Sequence, residues 1–480
     1  MTTIEKILID GGPMMSSELV KKLEIIDSIP NNTASQRVAR NKKIEKIKGF
    51  FKSNQSLCFL PIHEKDGGLF SVLITSLFEN GRKYWYCLNA IRLHGGVIER
   101  KYLECFTNYP ILPLKKHLPF EKVMQMFISE GILAYSGDYY YLSPKLGQVR
   151  PNSLANTTVD LIKSSLLTNF GSLTKNIGLI SYNSGETFAE YGKFRWAFKG
   201  VSTVTGLVHN GNTGFLLADI IIGTPIFKED VLFFVEKIKH IQSFNNAGKL
   251  IPFLIVDDLD KEALLHLKQN GIVVGFIGEL FGQKYADTLK ELITILDNAG
   301  ASLKKTPEKY LDLIKELNKY NEGLANNMRG TFFEFVVGHI HSIDSNSSID
   351  LGREIFENGF RHEMDVVANY PHKIVIAECK AVKSKIDIET VDNWLGRKIP
   401  VFKNWVENQE TWKRKTLEFE FWSTSGFTDE AFTKLQSVSS SSQRYKVSFF
   451  QSNDIRERAK TMKNKKLKEA LDDFFLKIKV

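Results

Sequence analysis

The sequence predicts an α/β protein, α+β and multidomain, on three observations. Its 480 residues suffice for three or four domains at about 100–200 residues each. Beyond residue 155, β-branched apolar runs alternate with segments of helical period, whereas the first 150 residues carry short helical and strand-like runs divided by turn residues. Finally, in EMDVVANYPHKIVIAECKA (363–381) the runs Val366-Val367 and Ile374-Val375-Ile376 flank turn residues and read as a hairpin in a buried sheet.

Taking the elements in order, MSSELVKKLEII reads as an amphipathic helix, and NNTASQRVARNKKIEKIKGFF as a longer basic helix with a polar start. Residues 31–50 hold six Lys or Arg against one Glu. SLCFLPI, LFSVLITSLF and KYWYCLNAI read as strands. Helix, turn, basic helix and hairpin over 1–95 resembles a winged helix-turn-helix, which implies double-stranded DNA as partner. Asn32, Thr33, Ser35, Gln36, Arg37 and Arg40 then lie on or near the groove-facing helix. The alternative is a helical adaptor with a solvated basic face. A second winged-helix-like module is expected over 96–150, from GGVIERKYLECF, FEKVMQMFISEGILAY and GDYYYLSPKL. It lacks the basic helix, so packing against protein suits it as well, and SPKLGQVRPNS reads as a linker.

Residues 155–305 alternate helix and strand: TTVDLIKSSLLTNF, IGLISY, TVTGLV, GFLLADIII, KEDVLFFVEKIKHIQSF, LIPFLIVD, KEALLHLKQNG and IVVGFIG. The same order returns in 306–480, where IVIAECKAVKSKIDIETVDNWLGRKI corresponds to FLLADIIIGTPIFKEDVLFFVEKI. Asp219 then stands in the place of Glu378, Ile221 in that of Lys380, and Gly206 in that of Asp365. A diverged duplicate and a Rossmann-like ligand-sensing domain both produce this pattern.

In 363–381, a turn centred between Pro371 and His372 sets Asp365 opposite Glu378, with Lys380 on the same face and Cys379 on the other. Paired carboxylates in an apolar sheet cost several kcal/mol unless a cation compensates, and a hard divalent ion would do so. An ion network without metal is the alternative. Glu334 lies on the helix MRGTFFEFVVGHIHSI, where Phe333, Val336 and Val337 face inward, and His339 and His341 lack a third ligand at a useful spacing.

Helical Glu334, then Asp365, then Glu378-Cys379-Lys380, with STSGFTDEA after a long helix, resembles the PD-(D/E)xK nuclease superfamily, and most closely the Mrr-like restriction endonucleases, over about residues 325–455. Met364 stands where the family pattern has Pro. The resemblance implies a restriction-endonuclease-like core with a central mixed sheet and a catalytic set Asp365, Glu378, Lys380 and Glu334. Mg²⁺ (or Mn²⁺) would be held by Asp365, Glu378 and the main-chain carbonyl of Cys379. Lys380 would orient or activate the attacking water, and Glu334 would be an outer or second-metal acid. It further implies DNA cleavage in restriction or defence, by a homodimer on DNA if both strands are cut. Two alternatives stay open: a nuclease with 155–305 as nucleotide sensor, and a DNA-binding regulator with a vestigial nuclease fold. Lys383, Lys385, Arg397, Lys398 and Lys403, on or beside the next helix, could track phosphates or form a solvated face. The basic terminal segment from Arg456 offers the same choice.

Composition bounds these readings. Lys and Arg number 64 against 55 Asp and Glu, a net charge of +9, which makes nucleic acid a reasonable partner and no more. Cys58, Cys87, Cys105 and Cys379 form no C-x-x-C pair, which suits a reducing cytoplasm. MTTIEKILIDGG lacks a basic region followed by an apolar run, and no run approaches the ~20 apolar residues of a membrane span, so neither secretion nor membrane insertion is expected. No G-x-x-x-x-G-K-[ST] occurs, so NTP-driven translocation is not expected.

Overall fold

A computed structural model of the chain describes residues 2–64, 68–115, 117–146, 153–202, 204, 213–223, 225–244, 249–306, 308–343, 347–357, 360–461 and 464–476. Helices and mixed sheets make it a multidomain α/β protein. It forms two compact units, Met1–Pro151 with Leu167–Phe276 and Asn152–Leu166 with Ile277–Val480. Their boundary thus falls within the helix Ser153–Asn176 and then at Ile277, not at 305. The helices Gln283–Asp297 and Ala299–Lys305, expected in the middle domain, belong to the second unit.

The first unit opens with the helix Thr3–Gly11, β1 (Met14–Met15), the helices Ser16–Asp27 and Asn31–Arg40, β2 (Glu45–Ile47) and β3 (Leu57–Phe59). The strands pair antiparallel in the order β1-β3-β2. Leu8, Leu19, Leu23, Ala34 and Val38 close the core. Helix, strand, two helices and two strands follow in this order, but two expected elements differ. The basic helix stops at Arg40, where Asn41 turns extended and its side chain takes the Lys43 N–H (2.8 Å). LFSVLITSLF and KYWYCLNAI are helices (Gly68–Asn80 and Arg82–Leu93), not the wing. Buried Leu69, Leu73 and Leu77 recur at helical spacing, and residues 84–91 are buried all round, so an apolar run here is a core helix.

Those helices introduce a second module of the same plan: β4 (Val97–Glu99), helices Arg100–Cys105 and Phe120–Ser129, β5 (Leu133–Ser136) and β6 (Tyr139–Leu142), with strand order β4-β6-β5. Tyr140 and Tyr141 are buried in its core.

The middle sheet comprises β7 (Glu186–Tyr191), β8 (Phe194–Ser202), β9 (Gly214–Ile221), β10 (Leu250–Val256) and β11 (Val273–Phe276). In the second unit stand β12 (Ser348–Glu357), β13 (Phe360–Asn369), β14 (Lys373–Lys380), β15 (Thr416–Ser423) and β16 (Lys446–Phe450). Both sheets run in sequence order, with two antiparallel pairings followed by two parallel ones. In both, a helix precedes the first strand and helices fill the two parallel crossovers.

The internal correspondence is therefore one of topology, but its second strand is misplaced in the sequence reading. IGLISY is not a strand: Ser181 N–H reaches Val201 O from a turn. TVTGLV, with Gly206, lies largely outside the described residues. The true second strand, β8, pairs Phe198 with Ala218, which sets Ala197 opposite Asp219. Ala197, and not Gly206, thus holds the position of Asp365.

Candidate active site

β13 and β14 pair with Val366 opposite Ala377 and Asn369 opposite Ile374, the register set by a turn at Pro371-His372. One step beyond the last pair stand Asp365 and Glu378. There the ladder is interrupted: the Cys379 N–H donates to Asp365 Oδ2 (2.7 Å) in place of a main-chain acceptor. On the other side of Asp365, the pairs Leu351–Val366 and Arg353–Met364 place Gly352 opposite the carboxylate at φ 59°, in the left-handed region that favours glycine.

Glu378 is 4% exposed and its Oε1 meets Lys380 Nζ at 2.6 Å, while Lys380 Nζ lies 3.9 Å from Asp365 Oδ2. The structure thus brings Asp365, Glu378 and Lys380 to one patch. It adds Lys398, whose Nζ donates to both Glu378 oxygens, Oε1 at 2.6 Å and Oε2 at 2.7 Å. Lys398 arrives on a π turn, Trp394–Lys398, between the helices Ile388–Asn393 and Ile399–Glu407. Pro400 lacks an N–H, so an α-helical bond to Gly396 cannot form, and the Ile399 N–H instead reaches back to Trp394 O. Trp394, Ile399 and Phe402 anchor this segment on Ile374, Ile376 and Phe419 of the sheet.

Glu334 sits on the helix Arg329–Ser342, which packs on β12, β13 and β14 and buries Phe333, Val336 and Val337. Its Oε2 is buried and makes no hydrogen bond among the described residues. Burial first, then Asp365 and Glu363, push the Glu334 carboxyl well above the carboxylate range. Burial and the Glu378 charge likewise raise Asp365 from its ordinary 3.8 to about 7, against Lys380 and Lys398. Glu378 goes the other way. Burial would raise it, but Lys380 and Lys398 overcome that and hold it below its usual value. Burial would lower the Lys380 ammonium, whereas Asp365 and Glu378 raise it.

A site with three acids, two of them charged only at a cost, and one orphaned carboxylate oxygen fits a divalent cation. Among the described residues no three His, Cys, Asp or Glu side chains already converge as a metal shell. An ion would therefore draw on Asp365, Glu378 and the Cys379 carbonyl, with Glu334 behind them.

The Asp365 shift gives a stability prediction for the metal-free chain. A carboxyl raised from 3.8 to about 7 stabilises the fold fully below pH 4, and that contribution is lost as pH rises toward 7. Asp365→Asn in EDTA should therefore match the parent near pH 4 and exceed it at pH 8 by on the order of 3 kcal/mol in urea unfolding. A parent that is equally or more stable at pH 8 would contradict a buried Asp365 whose charge its neighbours do not fully offset.

The other expected residues scatter. His339 meets Tyr310 Oη (3.3 Å), whereas His341 joins Tyr370 Oη (2.9 Å) and Glu420 Oε2 (3.0 Å), so the two histidines face separate partners. Lys383, Lys385 and Arg397 are exposed, and Lys403 pairs with Glu407 (3.2 Å). Asn32, Thr33, Gln36, Arg37 and Arg40 are exposed and Ser35 half-buried on the helix Asn31–Arg40, although Arg37 also pairs with Asp27 (2.9 Å). That helix borders a cleft of about 740 Å³. Lys21, Lys46 and Lys48 line it, without an acidic residue.

In the middle sheet the corresponding site is closed. Asp219 Oδ1 accepts the Ala197 N–H (2.8 Å), which interrupts the ladder as at Asp365. Lys237 Nζ spends its three protons on Asp219 Oδ2 (2.8 Å), Cys105 O (2.8 Å) and Arg195 O (2.7 Å), and lies 4.0 Å from the Trp196 ring centre. Both Asp219 and Lys237 are fully buried. A cavity lined by Trp85, Asn89, Phe106 and Ile221 measures about 10 Å³, room for one water and not for a nucleotide.

No family model and no curated protein matches this chain. Among solved structures it is similar to the crystal structure of protein VC1899 from Vibrio cholerae, at TM-score 0.15 and 8% identity over 49% of this chain. The chain spans about half, 53%, of that protein. A likeness at this level assigns neither fold nor function. Among the described residues no helix is long and apolar enough to cross a membrane.

Proposed function

We propose that the second unit hydrolyses phosphodiester bonds of DNA as a divalent-metal-dependent endonuclease of the PD-(D/E)xK kind, and that the N-terminal module binds double-stranded DNA. The observation that carries this reading is the convergence of Asp365, Glu378 and Lys380 on the interrupted edge of one hairpin. Asp365, Glu378 and the Cys379 carbonyl would hold Mg²⁺, and Mg²⁺ bound there supplies positive charge beside a phosphate and lowers the proton affinity of a nearby water. The chain's own residues do the rest. Lys380, fixed as an ammonium by two carboxylates, donates toward the attacking water or a phosphate oxygen and offsets charge that grows in the transition state. Glu378, held ionised by its lysines, keeps a charged oxygen ligand in the patch at neutral pH. The sheet fixes both without mobile loops.

The middle sheet serves as scaffold, a copy whose site is filled by Lys237. Cleavage of both strands would take a dimer or two successive nicks, and restriction of foreign DNA, in the cytoplasm, is the setting the reading suggests. Incubating methylated and unmethylated plasmid with the chain and Mg²⁺, then adding EDTA, tests the activity: cleavage that EDTA stops is expected. An acidless basic cleft beside the helix Asn31–Arg40 supports DNA as the partner. Arg40→Ala should weaken duplex binding and reduce the slope of log K against log salt by about 1. Fluorescence anisotropy across a salt series measures this, and an unchanged slope would remove the helix from the interface.

A further inference from the structure

Glu378 carries more positive charge than its catalytic role requires. Lys380, on the same strand, already contacts Oε1. Lys398 lies within 2.7 Å of both oxygens, so its ammonium is shared between the two oxygens that a cation chelated by this carboxylate would use. A divalent ion bound there would sit within a few ångströms of that ammonium, and the two cations would repel. The helix-borne lysine is a stand-in for the metal.

The middle sheet shows what permanent occupation looks like. Lys237, on the helix after the third strand, holds Asp219 with every proton satisfied and no exposure. Lys398 occupies the equivalent place with 32% of its side chain exposed, on a π turn, and among the described residues its ammonium donates to Glu378 alone. It is built to let go. Arg397, next to it in the chain, is exposed, a second cation that a phosphate backbone could meet there.

We propose that Lys398 is a positioning residue that blocks metal loading in the free protein and releases Glu378 when a DNA phosphate gives it another partner, so that the metal binds tightly only on DNA. This rests on the nuclease reading above. By reciprocity, whatever factor DNA adds to metal affinity, metal adds to DNA affinity.

The test is Mn²⁺ binding to the full chain by calorimetry, with no DNA and then with a short phosphorothioate duplex. Removing a charge-assisted competitor should make Lys398→Met bind Mn²⁺ at least about tenfold more tightly than the parent without DNA. Lys398→Arg, which can keep both contacts, should bind like the parent. The duplex should tighten Mn²⁺ on the parent and leave Lys398→Met almost unchanged. If Lys398→Met binds no more tightly than the parent while Glu378→Gln abolishes binding, the metal site stands and the gate is overturned. If no form binds Mn²⁺ even with duplex, the nuclease reading fails and the gate with it.

Discussion

Lys237→Met should destabilise the first unit by about 3–5 kcal/mol, because it strips the partner from a buried carboxylate and the donor from two main-chain carbonyls. Asp219 is already strained in this sense. Burial raises its carboxyl to about 6 even with Lys237 beside it and the Ala197 N–H upon it. Without the lysine, Asp219 must either bind a proton at neutral pH or stand as an unpaired charge. Lys237 also ties Cys105, at the end of a helix of the second module, to Arg195 of the middle sheet. Its loss therefore loosens two elements together. Scanning calorimetry of the full chain should show a transition lowered by on the order of 10 °C. Asp219→Leu combined with Lys237→Met should recover part of the loss, since apolar replacement of a buried pair is often neutral. A single variant within 1 °C of the parent would mean that water or a neighbour replaces the lysine at no cost.

Lys380→Ala should lower the cleavage rate by on the order of 10³-fold, within the range measured for removing a positioned proton donor or charge stabiliser. The side chain is two-thirds enclosed and held by Asp365 and Glu378, so its ammonium is pre-oriented and little reorganisation is left to the reaction. Folding should survive the substitution. It removes one cation from a patch where Lys398 still neutralises Glu378, and the hairpin register depends on main-chain pairing and not on Lys380. Loss of activity with an unchanged melting temperature and unchanged DNA affinity is the expected signature.

Much of this site was legible in the sequence because a strand hairpin has few free variables. A two-residue turn centre fixes the register, and side-chain alternation then fixes which residues share a face. Asp365, Glu378 and Lys380 followed from that alone. Sequence shows Lys398 as basic but not as a partner of Glu378, for its contact depends on a π turn that Pro400 induces and on the packing of Trp394 and Phe402. Pro400 within a helical run was the available signal. Glu334 was visible as an acid on an apolar helix, whereas its unpartnered Oε2 is a tertiary fact.

In the middle sheet, FRWAFKGV mixes aromatic and basic residues and hides its strand period, which makes TVTGLV the better strand on sequence and sets Gly206 where Ala197 belongs. LFSVLITSLF shows the opposite failure. Its sequence is apolar at nearly every position, so helix and strand look alike in it, although in the helix only one face, Leu69, Phe70, Leu73, Ser76 and Leu77, is buried.

The most direct test of the central claim is supercoiled-plasmid cleavage with Mg²⁺ by the parent chain and Lys380→Ala side by side, at matched DNA occupancy. Nicked or linear product from the parent, with roughly a thousandfold less from the variant, is the predicted result. Equal cutting by both would place the chemistry elsewhere, and bound but uncut DNA in every condition would make the interrupted hairpin an ion network in a DNA-binding protein.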